Sequence, residues 1–194
     1  MIPCYQICKN NNCPHWDERM LDCCHLPDDC DYAIEHLLDD RENQVLDGKN
    51  QGYWYYFVSG RLSFEGNWID GKEDGLWRYW RSEGELEYED NWTKGKVDGL
   101  FRRWYKNGQL DEEGSYVNGK RDGVWRAWFS SGQQYYEKNF IHGKLHGMYR
   151  CWYENGQLEY ERNFVDSHQV GCSREWDEDG KLVKSVFQRD GEKQ

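Results

Sequence analysis

Six of the chain's eight cysteines fall within its first 30 residues, at Cys4, Cys8, Cys13, Cys23, Cys24 and Cys30, with His15, His25 and His36 nearby. Thiols and imidazoles at this density have few chemical uses. Four sulfurs, or three and an imidazole, suit tetrahedral zinc. In an oxidising compartment the same residues would form disulfides. Cysteine ligation of an iron–sulfur cluster fits the count too, and the thiols could also remain free. The spacing C-x3-C-x4-C-x9-CC-x5-C contains no C-x2-C knuckle and leaves these uses open. A structural zinc on Cys8, Cys13, Cys24 and Cys30 is the arrangement we favour, because a short head without a hydrophobic core gains folding free energy from a metal. Asp22, Asp28, Asp29 and Asp31 would raise the pKa of a neighbouring thiol, which speaks against a redox-catalytic cysteine. Elemental analysis of the purified protein is expected to find about one zinc per chain, with every thiol titratable after denaturation. Absence of metal together with only two free thiols would instead mean three disulfides in the head.

Elsewhere the chemistry-bearing residues recur rather than cluster. Glu65, Glu89, Glu113, Glu137 and Glu161 stand one per period, which places successive carboxylates about 10 Å apart if two strands separate them. That is too far for paired acid–base work on one bond. Arg78, Arg102, Arg103, Arg126 and Arg150 are candidate ion-pair partners for this series. His142 and His146 are four residues apart, but Gly143 and Gly147 exclude the helix that a metal-binding HxxxH pair needs, so a solvated turn is expected. No nucleophile elbow and no phosphate-binding Gly-x-x-x-x-Gly-Lys-Ser/Thr is present. The expected activity is none: the chain is read as a non-enzyme.

The elements that must position these residues follow from one recurring phrase. Gly-Lys-x-x-Gly stands at Gly48–Gly52, Gly71–Gly75, Gly95–Gly99, Gly119–Gly123 and Gly143–Gly147, and the second glycines step by 23 and then by 24 residues. An eroded copy, Ser167–Gly171, follows at the same interval. A period of this length signals a repeat architecture. Two residues after the second glycine come Trp54, Trp77, Phe101, Trp125 and Tyr149; five after it come Phe57, Trp80, Trp104, Trp128, Trp152 and Trp176. Aromatic-rich stretches this short favour strands over helices. In Leu86–Trp92 the large groups Leu86, Tyr88 and Trp92 alternate with Glu87 and Glu89, so they share one strand face. Asn107-Gly108 and Asn155-Gly156 predict type I′ turns, with positive φ at both residues. The Gly-Lys-x-x-Gly joints predict the second turn of each unit. The positions two and five have opposite parity, which implies either a bulge or burial on both faces.

The phrase aromatic…Asn-Gly-Gln-Leu…Glu…aromatic-x-x-Gly-Lys-x-x-Gly-x-Trp resembles the variant MORN repeat of bacteria, and it is similar to the repeats of proteins classed as YwqK-type antitoxins. The resemblance covers residues 48 to about 187. It implies an all-β fold: an elongated antiparallel β-meander of about six 24-residue hairpin repeats, roughly twelve strands. It also implies a binding role, that of an antitoxin or immunity-type protein that neutralises a partner protein. The alternative is a metal-binding sensor or scaffold acting through the cysteine-rich head.

Composition bounds the rest. Mean hydropathy is −1.12, too low for a thick two-layer core and suited to a thin sheet. Net charge is −11, and residues 1–47 carry 11 acids against Lys9, Arg19 and Arg41, so the acidity belongs to the head. Such a charge disfavours nucleic acid and anionic membranes and would steer a basic partner. No apolar run is long enough to span a bilayer, and the first residues lack a secretory pattern, so a cytoplasmic location is expected. The expected domains are an acidic head, 1–47, the array, 48–187, and a frayed tail, 188–194. Residues 29–42 read as a helix, with Ala33, Ile34, Leu37 and Leu38 as its apolar stripe, able to cap the first hairpin. An open edge could also pair two copies.

Overall fold

The structure is a computed structural model that describes residues 43–188. The chain divides after Glu42, and all described residues belong to the second unit. The cysteine-rich head with its four proposed zinc ligands, the helix expected over 29–42, and residues 189–194 lie outside the described residues.

The described chain is all strand and turn. The strands are β1 (Gln44–Leu46), β2 (Lys49–Val58), β3 (Arg61–Ile69), β4 (Lys72–Trp80), β5 (Leu86–Thr93), β6 (Lys96–Trp104) and β7 (Leu110–Val117). They continue as β8 (Lys120–Trp128), β9 (Gln134–Ile141), β10 (Lys144–Leu145), β11 (Gly147–Trp152), β12 (Leu158–Val165), β13 (His168–Trp176) and β14 (Leu182–Gln188). They form one open antiparallel meander in sequence order, with β10 and β11 both on β9 and separated at His146. Each strand packs on its sheet neighbours, and no second layer covers them among the described residues. β1 places an additional strand ahead of the first complete repeat.

Turn chemistry sets this register. At the Gly-Lys joints the chain reverses in two residues, both left-handed: Asp70 at φ 53° and Gly71 at 73° are typical. This is the type I′ geometry, whose twist matches the strands it joins. The second glycine of each phrase does something else. Gly75, at φ 84°, lies inside β4, where the ladder runs from Glu65↔Arg78 to Asn67↔Asp74 and β4 therefore carries two extra residues. Glycine accepts the left-handed kink that this bulge requires. Consecutive joints are also tied together: Gly95 N–H donates to the Glu73 carbonyl at 2.8 Å, and His142 N–H donates to the Asp122 carboxylate at 2.8 Å.

The opposite turns differ from the type I′ expectation. Asn107 is not left-handed; only Gly108 is, at φ 82°. Gly108 N–H donates to the Tyr105 carbonyl at 3.0 Å and Tyr105 N–H to the Gln109 carbonyl at 2.9 Å, giving a longer loop with one left-handed residue. Asparagine stands there for its side chain. Asn107 Oδ1 accepts Gln109 N–H at 3.0 Å while Nδ2 donates to the Ser130 carbonyl of the next repeat at 2.9 Å. Asn155 repeats both bonds, to Gln157 and Glu178.

The parity question resolves into two faces. Near each loop the ladder slips again, from Tyr79↔Tyr88 to Trp80↔Leu86, but the extra residue is Glu87 on the partner strand. β4 keeps its alternation, so Trp77 and Tyr79 share one face, and Arg78 and Trp80 the other; the bulge at Glu87 therefore puts Leu86, the partner of Trp80, opposite Tyr88 and not on its face as strict alternation predicts. The first face carries the aromatic stack: Tyr56, Phe64, Tyr79 and Tyr88 run ring against ring, with Tyr79–Tyr88 centroids 4.2 Å apart. Phe101, Tyr116, Trp125 and Phe140 continue it. Trp77 and Trp125 are its buried centres, at 2% and 0% exposure. Each indole lies flat on a glycine of the preceding strand. A Cβ on Gly66 would stand 2.1 Å from Trp77 Cδ2, and one on Gly114 would stand 2.1 Å from Trp125 Cδ2.

Candidate interaction face

The opposite face presents two parallel rows. The first is the expected carboxylate series, now interleaved with arginine. Arg78 bridges Glu65 at 3.1 Å and Glu89 at 3.4 Å; Arg102 bridges Glu89 at 3.4 Å and Glu113 at 3.7 Å. Arg126 meets Glu137 at 2.9 Å, Arg150 meets Glu137 at 4.0 Å and Glu161 at 3.7 Å, and Arg174 closes on Glu161 at 2.7 Å. The run is open at one step only: Glu113 and Arg126 are register partners without an ion pair. The carboxylates are spaced across the sheet and neutralised, so the row acts as a cross-strand staple. Arg103 does not join it. It lies on the aromatic face and binds Asp111 at 2.6 Å and Glu112 at 3.4 Å.

Glu89 shows what one member contributes. Its side chain is 14% exposed and takes two arginines. Those arginines are 40% and 41% exposed, so solvent screens the pairs. Glu89→Gln is therefore expected to cost about 1 kcal/mol by urea unfolding, and less in molar salt. A loss of several kcal/mol, or one insensitive to salt, would contradict a screened ladder.

The second row is Trp80, Trp104, Trp128, Trp152 and Trp176, the residues five places after each second glycine. All five are half-buried. The preceding repeat pins the backbone of three of them: Arg81 Nη2 donates to the Trp104 carbonyl at 2.6 Å, Tyr105 Oη to that of Trp128 at 2.9 Å, and Tyr153 Oη to that of Trp176 at 3.0 Å. Their indoles are otherwise unspent. On the aromatic face, Trp54, Trp77 and Trp125 donate Nε1–H to the carbonyls of Gln51, Asn67 and Ser115 at 3.0–3.2 Å. Among the described residues none of these five indoles donates a hydrogen bond, stacks on another ring or has a buried Nε1. Leu86, Trp104, Lys106, Asn107 and Gly108 line a shallow open depression at this level. The loops beside the row carry exposed Glu83, Glu85, Glu154, Glu178 and Asp179 against Lys106 and Lys181. The edge of this face is thus acidic.

The aromatic face holds the buried carboxylates of the described residues, and both are tied to structural partners, while Trp68 Nε1 is buried there without one. Glu112, at 4% exposure, binds Arg103 and Arg121, each at 3.4 Å, and accepts the Tyr136 hydroxyl. Arg121 lies 4.0 Å over Trp125, and Lys138 lies 3.8 Å over Tyr136. Burial lowers the Lys138 pKa, with Arg121 adding to the effect. Asp90 takes Trp92 Nε1–H at 2.6 Å, and burial pushes its carboxyl up to about 6. Cys151 is buried, its thiol pushed up to about 11 by burial, which makes it inert. Cys172 is exposed. His142 occupies a joint turn at φ 51° with its side chain 80% exposed and Nδ1 3.5 Å from Asp122, while His146 lies between β10 and β11. No group of His, Cys, Asp and Glu able to hold a metal occurs among the described residues.

Sequence reasoning registered the tryptophans only as strand formers. One signal was available: the position two places after the glycine varies between Trp, Phe, Tyr and Ser, whereas the fifth repeats Trp five times. A site that needs only bulk tolerates such variation; one that needs an indole does not.

The profile of a family described as "MORN repeat variant" matches residues 97–118 and 145–166, which fall within two of the hairpin repeats. No curated protein matches the chain. Among solved structures the chain is similar to S. aureus TarM. One of these is a mutant in complex with Fondaparinux, alpha-GlcNAc-glycerol and UDP, at 14% identity and TM-score 0.33, covering 50% of this chain and 19% of that one. A second TarM crystal structure matches at 15% identity and TM-score 0.33 over the same shares. The chain thus spans about a fifth of the length of those structures. No helix among the described residues is long and apolar enough to cross a membrane.

Proposed function

We propose that this chain is a non-catalytic protein-interaction module whose tryptophan row engages a partner protein, and that it acts as an antitoxin or immunity-type protein, neutralising its partner in the cytoplasm. The observation that carries the reading is the contrast between the two sets of indoles. On the aromatic face Trp54, Trp77, Trp92 and Trp125 donate their indole N–H groups inside the fold and Trp68 keeps its Nε1 buried there, whereas the row indoles bond no described residue and are not buried. Tryptophans at a shared surface are the usual energetic anchors of protein interfaces. The resemblance of the repeats supports the antitoxin reading, and the acidic loop edge favours a basic partner.

The test is co-expression with the product of the adjacent reading frame. That product alone is expected to arrest growth, and the chain to relieve the arrest. Trp128→Ala is expected to weaken the purified complex about thirtyfold, or about 2 kcal/mol. A harmless neighbour, or full relief by a folded Trp128→Ala chain, would refute the reading.

A further inference from the structure

A protein partner can present many shapes to this row, and its geometry selects one of them. Successive row tryptophans are two strands apart. With neighbouring strands 4.7–4.9 Å apart, the indoles recur about every 9.6 Å. A polyproline II helix has three residues per turn and a rise of about 3.1 Å, so it returns the same side to a surface about every 9.3 Å. The two periods agree within a few tenths of an ångström. A segment lying across the strands would set one turn against each repeat.

The chemistry agrees as well. A polyproline II backbone makes no internal hydrogen bonds, so its carbonyls are free acceptors. The row supplies one unspent indole N–H per repeat. Aromatic-lined grooves are the general receptors for such segments, because the ligand is already ordered and little entropy is lost on docking. Leu86 and Trp104 line the depression that would receive a proline ring. Exposed Glu85 lines it too, and with the exposed acids of the neighbouring loops would attract basic residues flanking the prolines, although Glu83 is already paired with Lys106 at 3.3 Å. The adjacent Glu–Arg ladder contributes no net charge of its own along the run.

We infer that the row Trp80, Trp104, Trp128, Trp152 and Trp176 is a receptor for a proline-rich segment with basic flanks, bound in the polyproline II conformation at one turn per repeat. This deepens the interaction reading given above and rests on it. Sheet twist rotates each strand by about 20–25° against the next, so a straight ligand stays matched over a few turns only. Affinity should therefore rise with length up to about three turns, or nine residues, and then level off.

The probe is a fluorescently labelled nonaproline flanked by arginine pairs, titrated with the full chain and followed by polarisation. The control peptide keeps the arginines and replaces the prolines with alternating glycine and serine. Saturable binding is expected, at least tenfold tighter for the oligoproline. Trp104→Phe with Trp128→Phe, which keeps two rings and removes two donors, is expected to weaken it at least tenfold while thermal unfolding stays near that of the parent. Tyr79→Phe on the aromatic face should change nothing. Equal binding of both peptides would reduce the effect to charge attraction and overturn the proposal. So would unchanged binding by the folded double variant. Binding of a β-1,4-linked oligosaccharide in place of the peptide, lost in the same variant, would reassign the row to sugar stacking. If the oligoproline fails while Trp128→Ala still abolishes relief of growth arrest, this inference falls and the interaction reading stands. If both fail, both fall.

Discussion

Gly114→Ala is expected to destabilise the array by about 3 kcal/mol, more than removing any single ion pair of the ladder. The added methyl would stand 2.1 Å from Cδ2 and 2.3 Å from Cε2 of Trp125. Trp125 cannot yield cheaply. It is fully buried, its Nε1–H donates to the Ser115 carbonyl at 3.1 Å, Arg121 covers its ring, and Phe101 and Tyr116 pack on it at 5.6 and 5.0 Å. Overpacking alone costs about 1–3 kcal/mol, and expelling a buried tryptophan costs about 3–5. Backbone strain plays no part, because Gly114 is not left-handed. Gly108 is the control: it is left-handed at φ 82° with open space at its Cβ, so alanine there should cost only about 1 kcal/mol. Urea unfolding checks both. If the clash is the cause, Gly114→Ala combined with Trp125→Ala will cost clearly less than the two single changes added together. Strict additivity, or a Gly114→Ala loss below that of Gly108→Ala, would refute it.

Asp90→Asn is expected to stabilise the protein at neutral pH. Asp90 is 6% exposed, and burial raises its carboxyl to about 6, with Glu73 on β4 adding repulsion and Trp92 Nε1–H opposing the rise. The sign follows directly. Above pH 6 the group is charged in the folded and unfolded states alike, and the folded state bears the cost of burying it. As pH falls through 6 the folded state binds a proton that the unfolded chain, with its ordinary carboxyl near 3.8, does not yet bind. Folding stability from this group therefore increases from about pH 7 down to about pH 4. A shift of about two units corresponds to roughly 3 kcal/mol. Asparagine keeps an acceptor for the Trp92 indole and removes the charge. The variant should exceed the parent by roughly 2–3 kcal/mol at pH 7.5 and match it near pH 4. A gain independent of pH, or a loss, would show that the Asp90 charge is not the source.

The period was fully legible in the sequence, because glycine, lysine and tryptophan recur at fixed offsets and only a hairpin array satisfies them. The joint turns were legible for the same reason, since two left-handed residues in succession favour glycine at the second, and only the eroded joint puts Ser167 there, at φ 69°. The Asn-Gly loops misled because asparagine has two uses in turns. It tolerates positive φ, and its side chain also bridges backbone groups; at Asn107 the second use prevails, and the reach to the Ser130 carbonyl depends on a repeat not yet in place when the turn is read locally. The ladder was half legible. Its carboxylates show as a column in the sequence, but Arg102 and Arg103 are adjacent in the chain, and only the phase of the Gly99 bulge decides which of them faces Glu89. The indole row was hidden by the rule that makes strands recognisable. Aromatics are expected in a sheet, and nothing in their spacing says which N–H groups the fold uses.

The meander has one more consequence. Because each strand pairs only with its neighbours in the meander, with β10 and β11 together filling one place beside β9, residues 100–123 form a cassette with matching ends, bounded by Gly-Lys-x-Asp-Gly phrases. Excision or duplication of that cassette leaves every remaining strand beside a compatible neighbour. Length in this molecule is thus a quantity that unequal recombination within its gene can count up or down, in steps of about 9.6 Å of sheet. The chain is built as a ruler, and its reach can evolve without its fold having to be found again.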